Sequence, residues 1–181
     1  MVIEHSPCRE PSTTALLGLR LPGTVPTQRY TPMDWTQEAK QLFNIPKPTH
    51  FTNYRHCCEC AEHEATLLAC DVDSISLQQL GNPGWDPLCF VSPEGFLYYV
   101  PALIRITLAT MAKPQDRYLD QLLFHLMRDG KDHALVRACS SAQRAFIAGF
   151  LEYLIDQYAA EIDECTYADD ILKAYDMWRV G

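Results

Sequence analysis

Apolar residues along this chain recur at the three- and four-residue spacing of helices, and no stretch of any length alternates with the two-residue period of a strand. The first helical pattern is TPMDWTQEAKQLF, where Thr31 is an N-cap, Pro32 takes the first helical position, and Trp35, Ala39, Leu42 and Phe43 form one apolar face. NIPKPTHF ends it, because closely spaced prolines bias the residues before them toward extended backbone. Helical composition resumes from about Cys57 to Cys70, and SISLQQLG predicts a short helix closed by Gly81. NPGWDP reads as a turn. SPEGFLYYVPALIRITLATM opens like a capped helix and should kink at Pro101. QDRYLDQLLFHLMRDG places Leu119, Leu122, Leu123 and Leu126 on one stripe and stops at Gly130. SSAQRAFIAGFLEYLIDQYAAEID is apolar nearly all round and is the expected central helix, and TYADDILKAYDMWRV supplies the last.

The expected fold is therefore all-α: one compact domain of six or seven helices over residues 31–181, preceded by a proline-rich arm over 1–30 that holds Pro7, Pro11, Pro22 and Pro26. A chain of 181 residues with 48% hydrophobic positions is long enough to bury a sizeable core as one domain.

Charge narrows the choice of partners. Fifteen basic against twenty-three acidic residues leave a net −8, which disfavours nucleic-acid phosphate and anionic membrane and favours a basic protein partner. Met1–Pro11 lacks the basic and apolar regions of an export signal, and the apolar run Phe96–Ala112 is short and interrupted by Pro101 and Arg105. The expectation is a cytoplasmic protein whose eight cysteines are free or metal-bound.

One stretch carries chemistry. HCCECAEH, residues 56–63, packs three thiols and two imidazoles into eight positions. Cys57, Cys60 and His63 form a C-x-x-C-x-x-H set suited to zinc. Residues 57 and 63 would stand about 9 Å apart along a regular helix, so this set requires Cys57 and Cys58 in the entering turn and a helix starting near Glu59. A competing set keeps the helix intact, with His56, Cys60 and His63 on one stripe at i, i+4 and i+7. For the fourth position the candidates are His50, which is favoured, Cys70 and Cys89. The ordinary alternative is that the thiols are small core residues.

Catalysis at such a metal has little sequence support. His63-Glu64 opens like a zincin helix, but the second histidine would fall on Leu67, and the deaminase pattern is also missing. Glu59 or Glu62 remains available to act on a metal-bound water in a hydrolase. A redox C-x-x-C, with Cys58 beside it, lacks the βαβ context of thioredoxin-like motifs. His125 and His133 read as ordinary polar residues, and no glycine pattern supports nucleotide binding.

Four segments in this order, KPTHF, HCCECAEH, PLCFVSPEGFLYYVPALIR and SSAQRAFIAGFLEYL, resemble a family of small bacterial proteins described only as a domain of unknown function. The resemblance spans about Gln37–Tyr158. It implies that His56, Cys57, Glu59, Cys60, Glu62 and His63 act together, and it carries no activity with it. Two functions follow from the residues. The first is a zinc-stabilised interaction module of immunity or regulatory type, whose acidic Glu161, Asp163, Glu164, Asp169 and Asp170 meet a basic partner. The second is a metal-dependent hydrolase with Glu59 or Glu62 as acid and base.

Overall fold

Helix caps and prolines set the boundaries of the elements, and burial of the α4 stripe organises them. The computed structural model describes residues 33–128, 130, 134–164 and 168–179. Thr31, Pro32, the arm, His133 and Thr166 lie outside the described residues. Among those described, the chain is 70% helical and contains no strand, so the all-α expectation holds. In chain order the helices are α1 (Trp35–Leu42), α2 (Cys58–Ala69), α3 (Leu77–Leu80), α4 (Pro93–Thr110), α5 (Leu119–Met127), α6 (Ala134–Ala138), α7 (Ser141–Gln157), α8 (Ala159–Asp163) and α9 (Ala168–Arg179). The described residues form nine helices against six or seven expected, the additions being the short α6 and α8. The expected long helix from Ser140 divides at Tyr158, which closes α7 with an N–H bond to the Leu154 carbonyl.

Local chemistry explains several starts. Asp34 caps α1 in place of the expected Thr31, with its side chain accepting from the Gln37 N–H. Ser76 and Gln79 close a reciprocal capping box on α3, and Ser140 and Gln143 do so on α7. NPGWDP is more than a turn: two 3₁₀ segments, Pro83–Trp85 and Pro87–Phe90, are capped by Asn82 and Asp86.

The central helix is α4, not α7. Thirteen of its eighteen residues are buried, and it continues as a helix on both sides of Pro101. α7 buries a single face, through Ile147, Ala148, Phe150, Leu151 and Leu154, against α1 and α9. Trp35 of α1 meets Phe146, Phe150 and Tyr153 at centroid separations of 5.4, 5.5 and 5.3 Å. At the far side Trp178 of α9 is buried and donates its indole N–H to the Leu126 carbonyl at 2.9 Å.

These contacts hold α2 firmly at its C-terminal end. Tyr99 donates to the Leu67 and Cys70 carbonyls at 2.6 and 3.0 Å, and Lys47 donates to those of Leu68 and Cys70 at 2.7 Å each. Orphan helix carbonyls thus find donors from α4 and from the loop before α2. That loop is tied down as well: Thr52 bridges Val91, and Ser92 N–H donates to the Phe51 carbonyl at 2.8 Å.

Gly95 allows this approach. A Cβ there would come within 2.6 Å of Val91 Cγ2 and 2.9 Å of the Phe51 ring, neither of which can swing away freely. Gly95→Ala is expected to cost about 1–3 kcal/mol despite its better helix propensity. Urea denaturation checks this, and a neutral or stabilising result would show that the Phe51 contact is loose.

Candidate metal centre

Cys57 takes extended backbone, φ −159° and ψ 172°, and serves as the N-cap of α2, with Cys60 N–H donating to its Sγ at 3.4 Å. The helix therefore begins at Cys58, one residue earlier than the C-x-x-C-x-x-H set requires, while Cys57 does lie in the entering turn. The two Sγ atoms are 3.4 Å apart, and His56 Nδ1 stands 3.7 Å from Cys60 Sγ. His56, Cys57 and Cys60 bring one donor atom each within 4.8 Å of one another, a group able to hold a metal ion. It takes members from both competing sets, because His56 precedes the helix and reaches forward over its first turn.

Electrostatics divide the two thiols. The Cys60 N–H, followed by the Cys60 thiol and His56, lowers the pKa of Cys57. The neighbouring Cys57 sulfur, followed by burial, raises that of Cys60. Cys57 is thus the first thiolate of the pair, and a cation between the sulfurs would favour the second.

The other expected ligands go elsewhere. His63 turns inward on α2, is 1% exposed, stacks on Phe90 at a centroid separation of 4.6 Å and meets the tilted ring of Trp85 at 4.8 Å. Its Nε2 is buried without a hydrogen-bond partner among the described residues and lies 3.8 Å from Glu59 Oε1. His50 is also outside the group: its Nδ1 is 2.8 Å from Glu64 Oε1, and its ring stacks on Tyr54 at 4.5 Å. Cys70 caps the opposite end of α2, and Cys58 and Glu62 are exposed. Cys89 belongs to a different cluster, with Asp86 and His125. His125 is not an ordinary polar residue but a buried partner of Asp86, their side chains each 2% exposed.

The residue that sequence reasoning missed is Glu64. It is buried, and its carboxylate accepts from Phe51 N–H at 2.9 Å, Thr52 N–H at 2.7 Å and the Thr52 hydroxyl at 3.2 Å, besides meeting His50. Burial pushes its pKa up, but these hydrogen bonds, led by Thr52 N–H, outweigh it and hold the carboxyl below its ordinary value. Thr52 also donates to the Cys60 carbonyl at 2.9 Å. Glu64 therefore fastens the incoming loop to the helix that carries the thiols. The only sequence signal was a glutamate on the buried side of α2, next to His63.

No curated protein and no solved structure matches the chain. A family profile does match, over residues 50–179. The matched region includes the His56–Cys57–Cys60 group and runs through α9, which the resemblance drawn from the sequence left out, and it omits α1. The chain belongs to DUF6714, a family of unknown function.

Proposed function

We propose that the chain is a zinc-stabilised protein-interaction module of immunity or regulatory type, in which His56, Cys57 and Cys60 hold the ion and the adjoining aromatic surface receives a basic partner. Mixed imidazole and thiolate donors suit zinc. The observation that carries the reading is the placement of Trp85 and Phe90. Both are more than a third exposed, at 44% and 37%, yet both seat a ring against His63, one turn along α2 from Cys60. Half-exposed tryptophan and phenylalanine on a rigid base are the usual anchors of protein interfaces. Glu59 at the same helix start, and the net −8 of the chain, give that surface a charge that suits a basic partner.

Elemental analysis of protein purified without chelators should show bound zinc, of which one equivalent per chain is lost in Cys57→Ser. Partner capture by the zinc-loaded protein should weaken about tenfold or more in Trp85→Ala, with zinc content and helicity unchanged. A Trp85→Ala variant that captures the same partner equally well would reject the interface.

A hydrolase is the second reading, favoured by one feature. The group has three protein donors among the described residues, the number found in catalytic zinc sites that leave a position for water. Chelator-sensitive turnover of an activated ester or phosphodiester, lost in Glu59→Gln with zinc retained, would select it over the interaction module.

A further inference from the structure

A second convergence of donors lies where the 3₁₀ segments meet α5. Asp86 caps Pro87–Phe90 through Oδ1, which accepts from Leu88 N–H at 2.9 Å. Its Oδ2 accepts from Gln121 Nε2 at 3.2 Å and lies 2.8 Å from His125 Nε2. Cys89 follows three residues later, and one donor atom each from Asp86, Cys89 and His125 falls within 4.8 Å of the others. Asp86 and His125 are buried, while half-buried Cys89 borders a cavity of about 290 Å³ together with Asp86, Asp120, Gln121 and Phe124. Capping and the Asp86–His125 bond account for the carboxylate. They do not account for a thiol held beside a buried ionisable pair.

We propose that Asp86, Cys89 and His125 form a second divalent-ion site of the zinc class, with the cavity giving a water or small ligand access to the remaining coordination position. Carboxylate, thiolate and imidazole are all zinc donors, and a sulfur and a nitrogen among three ligands argue against calcium or magnesium. On binding, the Cys89 thiol proton passes to solvent, and two anionic donors then balance the dipositive ion, as a buried charge requires. Without an ion, burial and then the Asp86 carboxylate raise the pKa of the Cys89 thiol, and the Arg128 guanidinium, which donates to the Cys89 carbonyl at 2.9 Å, offsets only part of this. No donor is shared with the His56–Cys57–Cys60 group, so the two sites can be tested apart.

The experiment is cobalt(II) titration of the full chain, in which thiolate ligation produces a near-ultraviolet charge-transfer band. In Cys57→Ser/Cys60→Ser, one equivalent of cobalt should still bind with that band, and adding Cys89→Ser should abolish it while far-ultraviolet circular dichroism is unchanged. Retention of the band when Cys89→Ser is added to Cys57→Ser/Cys60→Ser, or absence of the band from Cys57→Ser/Cys60→Ser when wild type shows it, overturns the second site. Loss confined to Cys89→Ser, with Cys57→Ser/Cys60→Ser behaving as wild type, leaves the second site standing and removes the first. No cobalt binding by wild type rejects both. Should Cys89→Ser fail to fold, iodoacetamide labelling of wild type decides instead. Zinc should slow alkylation of Cys89 about tenfold or more, and an unchanged rate overturns the site.

Discussion

Cys60→Ser is expected to lose the ion held by His56, Cys57 and Cys60 and to melt about 5–10 °C below the zinc-loaded wild type, measured at free zinc about a hundredfold above the dissociation constant. Cys60 is the buried member of the group, and its sulfur lies within 3.4 Å of Cys57 Sγ and 3.7 Å of His56 Nδ1. Serine preserves the volume and removes the thiolate, so the difference measures the ion rather than a packing defect. Calorimetry with and without a zinc chelator checks the assignment. With chelator present wild type and variant should melt together, and a variant melting with loaded wild type in zinc would show that no ion stabilises this helix start.

Glu64→Ala should be equally damaging for a different reason. The substitution leaves the Phe51 and Thr52 N–H groups buried without an acceptor and frees the loop that aligns α2, at a cost of about 3 kcal/mol. That corresponds to a melting temperature about 6–12 °C lower. The pH dependence carries its own sign. The folded protein holds the Glu64 carboxyl below the ordinary 4.5, so its contribution is present above that value and disappears as pH falls through the lower folded-state pKa. Wild type should therefore lose stability between about pH 5 and pH 3 more steeply than Glu64→Gln. Parallel pH profiles for the two proteins would show that the carboxylate is not ionised in its clamp. Metal content separates this effect from that of Cys60, because Glu64 donates nothing to the metal group.

Helix positions were legible wherever the signal was local. Ser92 before Pro93, Ser140 with Gln143, and Gly81 after Leu80 act through bonds spanning two to four residues, so their chemistry is written in adjacent letters. The choice of α4 over α7 as the central helix was not legible. Both are rich in apolar residues, and only the packing of α1 and α9 on α7 shows that one of its faces remains open.

The candidate site divides in the same way. By itself the sequence determined that thiols and imidazoles crowd the start of one helix, and that Cys57 must stand in its entering turn if it is to share an ion with His63. Tertiary structure decided which imidazole joins them. His63 is drawn inward by Trp85 and Phe90, more than twenty residues away, and His50 is held by Glu64, while His56 stays beside the sulfurs. The convergence of Asp86 and Cys89 with His125 is likewise a product of packing, since 36 residues separate His125 from Cys89 and helical periodicity carries no information across that distance.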